Sequence, residues 1–287
     1  MKNKKKLGVF LFILPAVIVF FIYFVYPIGF LLYTSFMAWD GVGSMSFTGL
    51  SNYERLIDDH VFHKSLMNTL IWGAAAVFIH IPLALLLAII LSYKVPGWKF
   101  FRTVFFFPNL ISTLALSMMW LFIYNGQFGL LNAALELIGL EGLQRNWLGE
   151  ISTAFPALIA HWLFYVGIFM VIFMAFIATI DKSIYEAAEI DGANIFQREL
   201  FITLPLLKPG IAAGVLLAIT NTLKNFEAPF VMTNGGPVNE TMVMALHIYR
   251  QMVNFNYGYA NTLAIMLILA GGMMILVVQL VFREKNA

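Results

Sequence analysis

The sequence predicts an all-α membrane protein, a bundle of six transmembrane helices. Two features of the composition support this prediction: 61% of the 287 residues are hydrophobic, and only 11% are charged. A third observation is that the apolar residues form long runs. A spanning helix needs about 20 consecutive apolar residues, so such runs are candidate spans. A soluble domain carries about 25% charged residues. The sequence therefore excludes a soluble protein built around a large core.

Six apolar runs define the predicted spans; five are uncharged, the fifth contains Lys224, and each ends at charged or turn-forming residues. The first run follows a lysine-rich start and contains Pro15 and Pro27, so we expect its helix to be kinked. The fifth run is short for a span and ends at Lys224 and Glu227. Between the runs, polar or amphipathic loops are predicted at 40–64, 128–150 and 233–257. The predicted spans are 7–37, 65–93, 103–124, 151–180, 209–226 and 258–282.

Basic residues predict which ends of the spans face the cytoplasm, because cytoplasmic loops are enriched in lysine and arginine. With the N-terminus inside, the external loops hold only Arg55, Lys64, Arg145 and Arg250. The reverse orientation would place the larger basic set outside, so we expect both termini in the cytoplasm. This larger set comprises Lys2, Lys4, Lys5, Lys6, Lys94, Lys99, Arg102, Lys182, Arg198, Lys208, Arg283 and Lys285.

The sequence lacks the residues that most enzymatic and metal sites need. It contains no cysteine, so it has no disulfide, thiol nucleophile or cysteine-bound metal. No phosphate-binding loop of the Gly-x4-Gly-Lys-Ser/Thr type occurs. His60 and His63 stand three apart in a predicted loop, which favours surface histidines over a metal site. We therefore expect no catalytic site, cofactor or metal, and transport driven by ATP would need a separate ATPase subunit.

The segment 181–209 holds the densest cluster of charge and is predicted to form a helix-turn-helix elbow between the fourth and fifth spans. A Ser/Glu pair three apart has the spacing of a capping box, and a glycine then ends this first helix. An Asn/Gln pair begins a second short helix, one proline interrupts it, and another opens the next apolar run. We expect the elbow to be polar outside and to have small residues inside. The residues concerned are Ser183 with Glu186, Gly192, Asn194 with Gln197, Pro205 and Pro209.

The spacing of residues in the elbow resembles that of a known motif. Glu186-Ala187-Ala188, three residues, Gly192, nine residues and Ile202-Thr203-Leu204-Pro205 resembles the EAA loop of binding-protein-dependent ABC importer permeases. The fuller form, EAAEIDGA followed by ITLPLLKPG, is similar to the carbohydrate-uptake branch of that family. The resemblance runs over nearly the whole chain. Further elements that resemble the family lie at 49–53 (GLSNY), 68–70 (NTL) and 233–237 (TNGGP).

The resemblance implies that the elbow is a coupling helix, seated in a groove of a cytoplasmic ATPase subunit. It implies two ATPase copies, a second related permease in a heterodimer, an extracytoplasmic sugar-binding protein and a place in the cell membrane, with no nucleic-acid partner. Residues 1–287 would form a single permease domain, with an importer core at about 65–283. The implied ATPase-coupling residues are Glu186, Ala187, Ala188, Asp191, Gly192, Ile202, Leu204 and Pro205.

Polar residues near the end of the fifth span are candidates for the substrate path, because ionisable residues within a membrane mark pathways. In the resembled family this span lines the translocation path. Lys224 and Glu227 could instead pair with each other or extend to the membrane interface. His161-Trp162 could face a cavity or serve in packing the bundle. The candidate path residues are Asn221, Lys224, Asn225 and Glu227.

These features together predict the transmembrane subunit of an ATP-driven ABC importer, which forms the path for a sugar and works by alternating access. An ion-coupled secondary transporter is the alternative, and it would place an acidic coupling residue near the middle of the membrane. Glu227 lies at the edge of its predicted span. A membrane-embedded enzyme or assembly factor is a third possibility, which no catalytic group supports.

Overall fold

The computed structural model describes residues 12–283, and most of this part is helical. Three helices are long and apolar enough to cross a membrane, and three bent pairs raise the number to six if each pair is one span. The predicted all-α fold is confirmed. The helices are α1 Phe12–Thr34, α2 Ser51–Asp58, α3 His60–Ser92, α4 Trp98–Phe106, α5 Thr113–Ile123, α6 Leu130–Leu137, α7 Ile151–Leu163, α8 Gly167–Ile177, α9 Lys182–Ile190, α10 Ile195–Leu206, α11 Lys208–Leu223, α12 Glu227–Met232, α13 Met244–Val253 and α14 Tyr257–Phe282, and the strands are β1 Met37–Ala38 and β2 Ser46–Phe47.

Part of the predicted first span and several of the predicted internal basic residues lie outside the described residues. They are 7–11, Lys2, Lys4, Lys5, Lys6 and Lys285.

Wide π-turns precede three prolines and let the long helices continue through them. Proline has no N–H, and its ring collides with the carbonyl four residues earlier, so a wider turn relieves the conflict. The helix therefore continues through Pro27, and the interruption expected at Pro205 is a local widening rather than a helix end. The π-turns are Phe21–Val25 before Pro27, Ala76–His80 before Pro82 and Glu199–Thr203 before Pro205.

The third predicted span, 103–124, is wrong as a single helix. A 3₁₀ turn at Phe107–Leu110 follows α4, and α5 then leaves at an angle of 102°. The helical ladder ends here because Pro108 lacks an N–H and Ile111 is extended, with φ −91° and ψ 141°. Two other pairs are bent less, α7 and α8 by 41° and α10 and α11 by 68°.

The described residues form two compact units, and the first consists of 12–62 and 247–268. In this unit the antiparallel strands β1 and β2 pair Met37 with Phe47. The Asn52 amide donates to the carbonyls of Ser35 and Met37, both at 2.9 Å. The Asn261 amide donates to the Thr34 hydroxyl at 2.7 Å. Side-chain amides thus connect the end of α1 with the hairpin, α2 and α14.

The second unit consists of 63–246 and the end of α14 from Leu269. Its core lies where α3, α8 and α11 meet, and small residues let the helices approach closely. A Cβ atom at Gly210 or Gly214 would lie 2.7 Å from the ring of Phe176 or Phe173, respectively. Core residues include Ala76, Ala84, Ala88, Phe169, Met170, Phe173, Val215, Ala218 and Ile219.

Several segments predicted as loops are ordered elements, and those predictions are wrong. The segment 40–64 contains β2, α2 and the start of α3, so His60 and His63 lie on a helix. The segment 128–150 contains α6, and 233–257 contains α13. Asn68 helps to order the segment 233–257, which the sequence predicts to be a loop. Its amide donates to the carbonyls of Glu240 at 2.7 Å and Met242 at 2.8 Å, just before α13.

Candidate functional site

The capping residue of α9, the first helix of the elbow, lies two residues earlier than the sequence predicts. The Asp181 carboxylate accepts a hydrogen bond from the Ser183 N–H at 3.0 Å and caps the helix. This bond is the main reason that the pKa of Asp181 is lowered. The predicted capping box of Ser183 and Glu186 is wrong, because Asp181 takes the capping position and Ser183 already lies within the helix.

Gly192 ends α9, as predicted, in the left-handed conformation with φ +78°. Its N–H donates to the carbonyl of Glu189 at 3.1 Å, and the Ala193 N–H donates to that of Ala188 at 2.9 Å. This pair of bonds is the Schellman arrangement, which satisfies the last carbonyls of a helix. No atom lies within 4 Å of a Cβ atom built at Gly192, so backbone conformation rather than space selects glycine here.

The second helix, α10, has the predicted capping box at its start. The Asn194 side chain accepts from the Gln197 N–H, and the Gln197 side chain accepts from the Asn194 N–H, both at 2.9 Å. The two helices of the elbow are also joined to each other, because the hydroxyls of Tyr185 and Thr203 lie 2.9 Å apart. The elbow is thus a defined structure with hydrogen bonds at its start, turn and end.

One hydrogen bond connects the elbow to the end of α3. The hydroxyl of Tyr93, the residue after α3, donates to the Glu199 carboxylate. Burial raises the pKa of Tyr93 to about 12, and Glu199 adds to this effect. The phenol therefore stays protonated at neutral pH and remains the donor, so α10 is held at the end of the transmembrane helix α3.

The implied coupling residues occupy two positions on the elbow. Those of α9 and the turn are exposed, apart from the buried Ala188, whereas Ile202 and Leu204 on α10 are half-buried. Pro205 is exposed. The exposed residues of α9 and the turn are Glu186, Ala187, Asp191 and Gly192.

The outer surface of the elbow is partly apolar, so the prediction of a polar outer surface is wrong. Ile190, Ile195 and Phe196 expose 87%, 59% and 74% of their surface, respectively. They lie at the turn, where the described chain supplies no neighbour to bury them. Beside them is an open groove of about 600 Å³, lined also by Glu189 and Arg198, which form an ion pair at 3.6 Å. Such a patch with a polar rim is typical of a protein-binding surface.

A cleft of about 630 Å³ in the second unit brings together all four candidate path residues. Its walls come from α3, the 102° bend between α4 and α5, the pair α7–α8, and the break between α11 and α12. Breaks in membrane helices leave backbone polar groups free to face a cavity. The path candidates Asn221, Lys224, Asn225 and Glu227 line it, together with His161 and Trp162.

Two further residues of the cleft, Trp72 and His80, were missed by the sequence reasoning as site residues. They are 1% and 0% exposed, and neither the indole N–H nor either imidazole nitrogen has a hydrogen-bond partner among the described residues. The Tyr165 backbone lies beside His80 without the geometry of a hydrogen bond. His80 packs 3.9 Å from the Trp162 ring, between centroids. The sequence feature that could have indicated His80 as a site residue is an ionisable side chain within an apolar span.

The charged residues of the cleft do not neutralise each other. Lys224 and Glu227 are both exposed, and no ion pair joins them within the described part of the chain. His161 is buried, and its Nδ1 lies 2.5 Å from the Leu158 carbonyl oxygen, so it contributes to packing as well as to the cleft wall. Residues 12–283 contain no group of three His, Asp or Glu that could hold a metal. The cleft offers amides, aromatic rings and single charges to a polar solute.

Comparison with known proteins agrees with this architecture. The family described as "Binding-protein-dependent transport system inner membrane component" matches residues 80–284. The probable ABC transporter permease protein YurN of Bacillus subtilis (strain 168) is 35% identical over 92% of each chain. The probable starch degradation products transport system permease protein AmyD of Thermoanaerobacterium thermosulfurigenes is 31% identical, over 99% of this chain and 96% of its own.

A solved structure shares the fold. It is the crystal structure of a bacterial ABC transporter involved in the import of the acidic polysaccharide alginate. One of its chains is 22% identical to this chain, with a TM-score of 0.83 over 100% of this chain and 98% of its own. The family match covers well over half of the residues, and the curated relatives align almost from end to end. The chain therefore belongs to the family of binding-protein-dependent transport system inner membrane components.

Proposed function

We propose that this chain forms the translocation path for a sugar in an ATP-driven importer and transmits the work of a separate ATPase subunit. The sugar class is supported by the EAAEIDGA and ITLPLLKPG elements and by AmyD, which is named for the transport of starch degradation products. The chain itself carries no phosphate-binding loop, so ATP hydrolysis belongs to a partner. Membership in a binding-protein-dependent family favours this function over an ion-coupled secondary transporter.

The observation that carries the proposal is the exposed apolar patch of the elbow. A patch formed by Ile190, Ile195 and Phe196, on a turn held by hydrogen bonds, is suited to a groove on a cytoplasmic ATPase subunit. The coupling surface then comprises this patch and the motif residues around it. These are Glu186, Ala187, Ala188, Asp191, Gly192, Ile202, Leu204 and Pro205.

The assembly we propose has two ATPase copies and a second, related permease that forms a heterodimer with this chain. A sugar-binding protein outside the membrane delivers the substrate. Both termini are cytoplasmic, and residues 1–287 act as one permease domain with an importer core at about 65–283. The excess of basic residues on the elbow side supports this orientation.

The path we propose runs through the cleft that contains Asn221, Lys224, Asn225 and Glu227. Amide and charged side chains can donate to and accept from sugar hydroxyls, and their placement at helix breaks resembles the general design of transporter sites. ATP binding closes the ATPase subunits, the elbow moves with them, and the helices open the cleft to the outside. Hydrolysis returns the inward-facing state.

Gly192→Val tests the central part of this proposal. Valine at φ +78° is strained by about 1–3 kcal/mol, so the turn should distort and the elbow should lose its fit to the ATPase. We expect weaker co-purification of the cognate ATPase subunit in detergent and reduced sugar uptake in cells, with the spans still inserted. Gly142→Val is the matched control, because Gly142 has open space around it and no positive φ. Full ATPase binding and uptake by Gly192→Val would falsify the coupling role.

A further inference from the structure

A second, smaller cleft lies beside α4, at the same end of the second unit as the elbow. Its volume is about 380 Å³, and Val171 of α8 forms one wall. The hydrogen bond from Tyr93, just before α4, to Glu199 places the start of α4 at the elbow end. The residues of α4 that line this cleft recur at intervals of three and four, so they share one face of the helix. They are Trp98, Lys99, Arg102, Thr103 and Phe106.

The two cations of this cleft have no acidic partner in the described part of the chain. Lys99 and Arg102 are both exposed, and neither belongs to an ion pair there. The Lys99 ammonium lies 5.8 Å from the Trp98 ring, close enough for a weak cation–π contact. The Thr103 hydroxyl donates to the Lys99 carbonyl at 2.9 Å. Two positive charges on one turn, without a neutralising carboxylate, favour an anion in the cleft.

Most of the other residues of α4 are apolar and exposed. An anion that carries acyl chains could contact them as well as the two cations. Phe100, Phe101 and Val104 expose 68%, 46% and 46% of their surface, and Phe107 follows with 57%. In a membrane protein such side chains contact acyl chains. Tryptophan and basic residues beside them are typical of the membrane interface, where lipid headgroups lie. The same nine-residue helix thus presents cations to a headgroup and apolar side chains to its tails.

We propose that this cleft binds the anionic headgroup of a phospholipid. The phosphate contacts Lys99 and Arg102, the guanidinium offering paired donors, and the acyl chains lie along Phe100, Phe101 and Val104. Basic pockets between helices at the cytoplasmic side are suited to anionic headgroups. A free phosphate shares the headgroup chemistry but leaves the apolar side chains without a partner, so the geometry favours the lipid.

Lipid binding to the purified full chain in detergent, measured by native mass spectrometry, tests this proposal. The probes are phosphatidylglycerol, phosphatidylcholine and inorganic phosphate. We expect Lys99→Gln/Arg102→Gln to bind phosphatidylglycerol about thirtyfold more weakly than the original chain, since each lost charge contributes about 1 kcal/mol. Phosphatidylcholine should bind more weakly than phosphatidylglycerol to the original chain and should respond little to the two substitutions.

Two control variants separate this site from general charge effects. Lys182→Gln/Lys208→Gln removes the same net charge from exposed positions outside the cleft and should bind phosphatidylglycerol like the original chain. Lys99→Arg/Arg102→Lys keeps both charges and should retain binding. If the double glutamine variant does not fold, the single variants Lys99→Gln and Arg102→Gln decide the question. We expect each to bind phosphatidylglycerol about fivefold more weakly than the original chain.

Three results would overturn the assignment. One is equal affinity of the original chain for phosphatidylglycerol and phosphatidylcholine. Another is unchanged phosphatidylglycerol binding in the glutamine variants, or an equal loss in Lys182→Gln/Lys208→Gln. The third is inorganic phosphate binding as tightly as phosphatidylglycerol, which would indicate a phosphate site without a lipid.

Discussion

At the scale of single residues, buried polar groups without a hydrogen bond indicate where a solute can bind. An unpaired buried polar group costs free energy, about 1–3 kcal/mol, unless something satisfies it. Trp72 and His80 carry such groups in the wall of the large cleft, where they have no hydrogen-bond partner among the described residues. If the path runs through this cleft as proposed, the passing solute would supply the missing hydrogen-bond partner.

The amides of the proposed path can be tested individually. Asn221→Ala and Asn225→Ala each remove a side chain that can both donate and accept, so we expect sugar uptake to fall about fivefold, equivalent to one hydrogen bond of about 1 kcal/mol. Co-purification of the ATPase subunit should stay unchanged. Gln279→Ala is the control, because it removes an exposed amide of α14 that does not line the cleft. Normal uptake by both asparagine variants would mean that the path lies elsewhere.

A buried cluster in the first unit makes stability depend on pH. His247 is 3% exposed, and its Nε2 lies 3.2 Å from the Asp59 carboxylate, which also accepts from the Tyr259 hydroxyl at 2.5 Å. Burial lowers the pKa of His247, against the opposite effect of Asp59. Burial alone would raise the pKa of Asp59, but hydrogen bonds from Tyr259 and the Phe62 N–H outweigh it, so this pKa is also lowered.

Both pKa shifts predict a loss of stability in acid. A group with a lower pKa in the folded state stabilises the protein above its unfolded pKa and loses this effect as the pH falls. For His247 the loss begins below about pH 6.5, and for Asp59 below about pH 3.9. We expect the unfolding temperature in detergent to decrease between pH 7.5 and pH 5, and to decrease less in His247→Gln. His60→Gln, at an exposed histidine, should keep the original pH dependence; an identical profile for His247→Gln would contradict this account.

At the scale of elements, α8 packs closely against α4. A Cβ atom at Gly167 would lie 2.2 Å from the Phe105 carbonyl oxygen and 2.6 Å from the Phe106 Cα, both backbone atoms. Gly167→Ala must therefore push the helices apart, at a cost of about 1–3 kcal/mol. Gly272→Ala meets no atom within 4 Å and should stabilise its helix by about 0.5–1 kcal/mol.

Thermal unfolding in detergent should distinguish the two glycine variants, because their unfolding temperatures should change in opposite directions. We expect a lower unfolding temperature for Gly167→Ala and an equal or slightly higher one for Gly272→Ala. A Gly167→Ala protein as stable as the original would show that α4 and α8 are less tightly packed than described.

Elements governed by local sequence could be predicted, whereas those governed by distant contacts could not. The capping box of Asn194 and the turn at Gly192 depend on neighbours within a few residues, and both were predicted correctly. Helix α13 was predicted as a loop because its contacts come from distant residues, among them Asp59, which lies 188 residues from its hydrogen-bond partner His247 in the chain. Asp181 was missed as the cap of α9 because Ser183 offered an equally good local pattern.

At the scale of the whole molecule, the proposed topology of six spans places the elbow and the external loops on opposite sides of the membrane. Reporter fusions at Ala193 should therefore indicate the cytoplasm, and fusions at Gly142 or Gly236 should indicate the outside. The basic residues near the ends of the spans give the physical reason. An external signal at Ala193 would remove the basis for contact between the elbow and an ATPase.

The candidate spans could be predicted from the sequence, but the cleft could not. Long uncharged runs reveal spans one at a time, because each needs only its own length and composition. The cleft needs side chains from α3, the angle between α4 and α5, the pair α7–α8 and the break after α11, which come from four separate parts of the chain. Asn221, Lys224, Asn225 and Glu227, which lie close together on one segment, could be named in advance as path residues, and His161-Trp162 could be named as a pair that either faces a cavity or packs.

The apolar turn of the elbow also has a consequence for how the cell must produce this protein. In the proposed orientation, a newly made copy without its ATPase partner exposes Ile190, Ile195 and Phe196 to the cytosol, where exposed apolar side chains favour binding by chaperones, proteolysis and aggregation. Balanced synthesis of the two subunits would then govern abundance. In a pulse-chase experiment, we expect a shorter half-life for the chain expressed alone than for the chain expressed with the ATPase. Ile190→Ser/Phe196→Ser should lengthen the half-life of the solitary chain.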